Sequence, residues 1–154
     1  MRATDKTRVA YTNLLFHIVF GTKDRFPFIN RDIRPQFHRY MGGVVKGLGG
    51  TLLEIGGIED HVHLLVILKP TLCLSDFLRD LKSNSSTWAK QNGIRKFAWQ
   101  RRYGAFTVSE SQQNIVRKYI QNQDKHHKKF DFKTEFETML TSNAIPIDDY
   151  VWQD

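Results

Sequence analysis

One cysteine in 154 residues, Cys73, excludes an intramolecular disulfide and with it the stapled secreted scaffolds. No apolar run approaches the roughly 18 residues a membrane span requires, so no membrane partner is expected. The opening stretch Met1-Arg2-Ala3-Thr4-Asp5-Lys6 carries no apolar signal region, which points to a cytoplasmic protein. Only four prolines are present, and no repeat, low-complexity run or linker interrupts the chain. With 40% hydrophobic residues, the expectation is a single domain over residues 1–154 whose core needs no staple. Acidic residues are the scarcer charge: 16 Asp and Glu stand against 23 Lys and Arg, a formal net charge of +7. That balance favours a polyanionic partner such as nucleic acid over an acidic small molecule, although it equally suits a basic surface kept for solubility.

The hydrophobic patterning predicts an α+β fold. Tyr11 to Phe20 is rich in aromatic and β-branched residues and stops at Gly21, as a central strand does. From Asn30, a candidate N-cap, the residues Ile33, Phe37, Tyr40, Met41, Val44, Val45 and Leu48 recur at helical steps up to Gly49-Gly50. Thr51 to Ile55 and His61 to Leu68 read as a hairpin turning through Gly56-Gly57 and Glu59-Asp60. Leu74, Phe77, Leu78, Leu81 and Trp88 trace a second helix with Ser75 or Thr71 as its cap. Short strand-like pieces follow at Phe97-Ala98-Trp99 and Ala105 to Val108. Ser109 and Gln112 have capping-box spacing for a helix running through Tyr119 to about Lys125, and a last helix spans roughly Lys133 to Thr141. This order suggests helices packed on a mostly antiparallel sheet.

The chemistry is concentrated in His61-Val62-His63. Residues two apart on a strand share a face, so both imidazoles project to one side and could seat a divalent cation. On the helix from Ser109, Tyr119 and Gln123 are four apart and therefore neighbours. Packed against the histidine strand, Gln123 could supply an oxygen ligand and Tyr119 a nucleophile for a phosphodiester. With no cysteine ligand and an amide oxygen among three donors, Mg²⁺ or Mn²⁺ suits the set better than zinc. The same residues also admit a plain reading: Ile115, Val116, Tyr119 and Ile120 form a plausible core stripe, and two strand histidines can be satisfied polar groups at a sheet edge.

Several segments together resemble a known family: Phe16-His17-Ile18-Val19-Phe20, Asp60-His61-Val62-His63-Leu64-Leu65-Val66, Leu81-Lys82-Ser83-Asn84, Tyr103-Gly104-Ala105-Phe106-Thr107-Val108-Ser109 and Tyr119-Ile120-Gln121-Asn122-Gln123. The continuation through His126-His127, Phe132, Glu135 and Tyr150-Val151-Trp152 is also similar. The family is that of the small single-domain tyrosine transposases of the His-hydrophobic-His endonuclease superfamily, with their relatives associated with repetitive extragenic palindromes. The resemblance implies a ferredoxin-like, RNA-recognition-type sheet, Tyr119 as nucleophile, and His61, His63 and Gln123 as metal ligands. It further implies a homodimer in which the tyrosine helix of one subunit can complete the site of the other. The implied activity is cleavage and rejoining of single-stranded DNA at hairpin-bearing ends, through a 5′-phosphotyrosine. Two alternatives stay open: a domesticated, non-catalytic binder of hairpin DNA or RNA, and a related nicking endonuclease for replication or transfer.

Other residues are weighed by type. Lys82, Arg101, Arg102, Arg117 and Lys118 are candidate phosphate contacts, with Tyr103 available to stack on an unpaired base. His126 and His127 read as a polar helix end, His17 as a hydrogen-bonded sheet histidine, and Cys73 as a small core residue. Asp60 fits either an acceptor orienting a neighbouring histidine or a turn residue.

Overall fold

The computed structural model describes residues 10–153. Its elements run β1 (Leu14–Gly21), α1 (Arg34–Gly47), β2 (Thr51–Ile58), β3 (His61–Leu68), α2 (Leu74–Gln91), β4 (Gly104–Thr107), α3 (Gln113–Gln121), α4 (Gln123–His126) and α5 (Phe132–Ser142). The strands form one sheet in the order β2-β3-β1-β4 with every neighbouring pair antiparallel, the ferredoxin-like arrangement. No helix among the described residues is long and apolar enough to cross a membrane.

The alternation along β3 divides the molecule into layers. Val62, Leu64, Val66 and Leu68 face one way and join Ile18 and Phe20 of β1 in the main core, closed by Phe37, Met41 and Val45 of α1 and by Phe77, Leu78 and Leu81 of α2. Each such buried side chain contributes roughly 1.5–3 kcal/mol. Leu15, Val19 and Leu65 face the other way, under α3 and α5, through Ile120 in one cluster and Phe132, Phe136 and Leu140 in another. His17, His61 and His63 share this second face, so the period of two that makes a strand also delivers three imidazoles beneath the C-terminal helices.

Several local expectations need correction. Gly56 and Gly57 belong to β2, and only Glu59-Asp60 forms the turn. A Cβ at Gly56 would lie 2.4 Å from the Ile120 carbonyl oxygen, so the glycine is there to admit α3. Neither Ser75 nor Thr71 caps α2, whose N-cap position is Cys73, and that cysteine is exposed rather than in the core. Ser109 makes no side-chain cap bond; residues 110–112 form a 3₁₀ turn before α3 begins. The expected helix to Lys125 breaks at Asn122, whose φ of −98° and ψ of 22° separate α3 from α4. Nor is Asn30 the N-cap of α1, which is Ile33 with no side-chain cap bond; the Asn30 Oδ1 accepts from the backbone N–H groups of Asp32 and Ile33 at 3.0 and 3.2 Å in the turn that leads into the helix.

Candidate active site

His61 and His63 are both fully buried on the second face of β3. Each is aimed by a partner on the side of the ring away from the centre. His61 Nδ1 donates to Asp60 Oδ1 at 2.7 Å, and its ring stacks on Phe132 with centroids 4.2 Å apart and planes 8° from parallel. His63 Nδ1 pairs with Nε2 of His17 on β1 at 2.9 Å. A third imidazole joins them from the chain following α4: His127 Nδ1 donates to the Phe130 carbonyl at 2.7 Å, which turns its Nε2 inward.

The three Nε2 atoms converge on oxygen. His63 Nε2 is 2.9 Å, and His61 and His127 Nε2 are each 3.2 Å, from Glu135 Oε1 on α5. His61 and His127 Nε2 also lie 3.0 and 2.9 Å from Gln123 Oε1, the amide of a residue only 1% exposed. Glu135 Oε2 accepts from the Tyr119 hydroxyl and, at 3.2 Å, from Gln123 Nε2. Thus Tyr119, Gln123, His61 and His63 come together as their spacing suggested, and Tyr119 meets the cluster of its own chain. The break at Asn122 does not separate Tyr119 from Gln123, since Gln123 Nε2 still reaches the Tyr119 carbonyl at 3.5 Å.

The electrostatics follow from burial and this crowding. Burial opposes a charge on His61, but the hydrogen bonds and charges of Asp60 and Glu135 outweigh it and hold its pKa up at about 9. His63 is depressed to about 4, by burial first, with the bond and charge of Glu135 only partly offsetting it. His17 is depressed to about 3 by burial and then by His63. Burial would raise the Glu135 carboxyl, yet the surrounding imidazoles hold it far below the usual carboxylate range. Burial, and then the Glu135 charge, push the Tyr119 phenol well above its ordinary value, so the hydroxyl keeps its proton in this arrangement.

These donors fit a divalent cation. One ligand atom from each of His61, His63, His127 and Glu135 lies within 4.8 Å of the others. With the Nδ1 atoms taken up by Asp60, by the Phe130 carbonyl and by a His63 that donates to His17, the Nε2 atoms face the oxygens of Glu135 and Gln123: the protonated His61 donates from Nε2, whereas neutral His63 turns a lone pair toward Glu135. Lone pairs facing lone pairs repel unless a proton or a cation stands between them. His126 repeats the theme: its Nε2 is buried 3.2 Å from Glu135 Oε2 but misaligned, leaving it without a hydrogen bond.

Sequence reasoning missed His127, Glu135 and the role of His17. Glu135 had a signal, because it falls at a core position of the stripe Phe132, Glu135, Phe136, Met139, Leu140, where a carboxylate requires a partner. His127 is four residues beyond Gln123, the same-face spacing already used for Tyr119 and Gln123. The candidate DNA contacts do not converge on the cluster. Lys82 Nζ donates to the carbonyls of Gln100 and Arg101 at 2.6 and 3.1 Å, tying α2 to the loop before β4. Arg101 and Arg102 are exposed and Tyr103 half-buried on that loop, while on α3 Arg117 lies 3.7 Å from Glu54 and Lys118 is exposed.

Known proteins resemble this chain in sequence and in fold. The sequence profile of the family described as "Transposase IS200 like" matches residues 10–123. The transposase for insertion sequence element IS200 of Salmonella typhimurium is 30% identical over 132 residues, covering 77% of this chain and 84% of the relative. Among solved structures, a chain assigned as a transposase from Deinococcus radiodurans superposes with a TM-score of 0.64 at 24% identity, covering 78% of this chain and 98% of that one. The tyrosine transposase bound to a repetitive extragenic palindrome hairpin superposes with a TM-score of 0.57 at 15% identity, covering 80% and 74% respectively. At these identities the two structures speak for the fold.

Proposed function

Because this chain belongs to the IS200-like transposase family, we propose that it cuts and rejoins single-stranded DNA at hairpin-bearing ends through a covalent 5′-phosphotyrosine on Tyr119. The observation that carries this reading is the meeting of the Tyr119 hydroxyl and three inward Nε2 atoms on the two oxygens of Glu135. The hairpin as substrate feature is supported by the fold neighbour that was solved on one.

His61, His63 and Gln123, joined by His127 and Glu135, would hold the metal. Bound there, a divalent cation would polarise a phosphoryl oxygen and stabilise its developing charge. Imidazole-rich donors suit Mn²⁺ better than Mg²⁺, which prefers oxygen and water. Tyr119 Oη forms the bond to phosphorus, the bond from phosphorus to the 3′-oxygen breaks, and the phenolic proton ends on that oxygen as a free 3′-hydroxyl. The reverse step rejoins a strand, and because the phosphotyrosine conserves the bond, no nucleotide cofactor is required. Phe132 stacked on His61, Asp60 behind it and His17 behind His63 keep the imidazoles in place during both steps. A homodimer in this scheme brings two DNA ends together, each protomer carrying its own Tyr119 at its own cluster.

Incubation with labelled single-stranded hairpin DNA and Mn²⁺ should give a denaturant-resistant protein–DNA adduct. Tyr119→Phe should abolish the adduct while leaving DNA binding intact, and His61→Ala with His63→Ala should remove the metal-dependent cleavage, unchanged cleavage rejecting the metal assignment. An adduct that persists in Tyr119→Phe would reject the nucleophile, and binding without any adduct in the unaltered protein would favour the non-catalytic reading.

A further inference from the structure

Two clefts open at Tyr119, and both are lined by Tyr119, His126 and Phe130. The first, about 360 Å³, runs between these rings and α5, where Met139 and Thr138 line it. The second, about 410 Å³, is bordered by Lys125 and Lys129, and no acidic side chain among the described residues lines it. Both volumes lie in the range, roughly 300–1,000 Å³, of sites that hold a small ligand. The rings between them form a succession, with Tyr119 5.4 Å from His126 and His126 5.3 Å from Phe130 by centroid. Phe130 is 49% exposed, and among the ring contacts described its ring meets only that of His126, so a face is open to the clefts it lines. All of the lining beyond Tyr119 and Asn122 lies after residue 123, where the family match ends.

We propose that these clefts are a nucleotide subsite for single-stranded DNA: the base adjoining the scissile phosphate lies in the apolar cleft against Phe130 and Met139, and the backbone continues over Lys125 and Lys129. The proposal rests on the strand-transfer reading, since it is Tyr119 that fixes where the scissile phosphate must sit. Unpaired bases are held by aromatic faces beside a positive track that follows the phosphates, and these two clefts, which share the nucleophile as lining, supply one of each. An apolar slot also selects for an unstacked base. A paired strand keeps its bases inside the duplex and could not fill it, so the subsite would contribute to single-strand preference without reading sequence.

The test uses the 154-residue Tyr119→Phe protein, expected to bind without cutting, and random-sequence single-stranded oligonucleotides carrying 5-iododeoxyuridine. Irradiation followed by mass spectrometry should place cross-links on Phe130, His126 or Met139. Phe130→Ala should weaken single-strand binding by about 5- to 100-fold and duplex binding by less than twofold. Lys125→Ala with Lys129→Ala should reduce the slope of log affinity against log salt by about 1.4, the share of two phosphates. Thr138→Trp, checked for unchanged circular dichroism, fills the cleft and should reproduce the Phe130→Ala loss. Cross-links confined to other regions, single-strand affinity unchanged in both cleft variants, or equal losses on duplex would each overturn the subsite. The two readings fail separately: an adduct in the unaltered protein without cleft cross-links removes the subsite alone, whereas cleft cross-links without any adduct remove the chemistry and leave a binding site.

Discussion

His17 and His63 are buried partners that must stay uncharged, while His61 beside them holds a proton against its own burial. In the unfolded chain all three would titrate near 6.5. As pH falls below about 6.5, the unfolded chain takes up protons that His17 and His63 refuse until about 3 and 4, so stability is lost on the acid side. Glu135, held far below its ordinary range, acts in the same sense: its contribution is present above the unfolded carboxyl value and lost as pH falls. His61 has the opposite sign. Its contribution is full below about 6.5 and lost as pH rises through about 9. With chelator present, the melting temperature should therefore peak near neutral pH and fall on both sides, a tenfold change in proton affinity on folding being worth about 1.4 kcal/mol. Thermal melts across the pH range check this, and a flat profile between about pH 4 and 7 would refute the acid limb.

Among the elements, α3 is placed by an absence. A side chain at Gly56 would meet the Ile120 carbonyl oxygen at 2.4 Å and Ile120 Cγ2 at 2.9 Å, and Tyr119 is the next residue along. Gly56→Ala should cost roughly 1–3 kcal/mol in urea unfolding, as overpacking against backbone does, and reduce adduct formation beyond what the lost stability explains. Gly43, in the middle of α1 with nothing within 4 Å of its would-be Cβ, is the control: Gly43→Ala should stabilise by about 0.5–1 kcal/mol and leave adduct formation unchanged. Equal behaviour of the two variants would mean that the close approach does not position the tyrosine. The four strands of the sheet and the helix cores were legible because burial imposes periods of 2 and 3.6 on the sequence, whereas the strand expected at Phe97-Ala98-Trp99 is only an isolated bridge from Trp99 to Thr22. The break at Asn122 was not legible, since it preserves the neighbour relation of Tyr119 and Gln123 that the pattern registers. Nor was the membership of Gly56 and Gly57 in β2, because a glycine pair reads as a turn unless the helix crossing over it is already known.

At the scale of the whole molecule, one sheet separates two tasks. The face under α1 and α2 is closed with hydrocarbon, and the face under α3, α4 and α5 carries the imidazoles. Spacing made one pair of His61 and His63 and another of Tyr119 and Gln123, and the family resemblance joined the two pairs, but Glu135 completes the group from α5, across 72 residues from His63, a distance no local pattern spans. The excess of basic charge suits a polyanionic partner without locating its track, and Lys82, Arg101 and Arg102 sit on α2 and the loop before β4, not on the elements that carry the cluster. The meeting of Tyr119 with imidazoles of the same polypeptide has a kinetic meaning. Strand scission at saturating DNA should be first order in protein, with a turnover per molecule that survives dilution, whereas joining of two ends, assigned above to the proposed homodimer, should decline. Scission that vanished on dilution in parallel with joining would mean that the working site borrows its tyrosine from a neighbour.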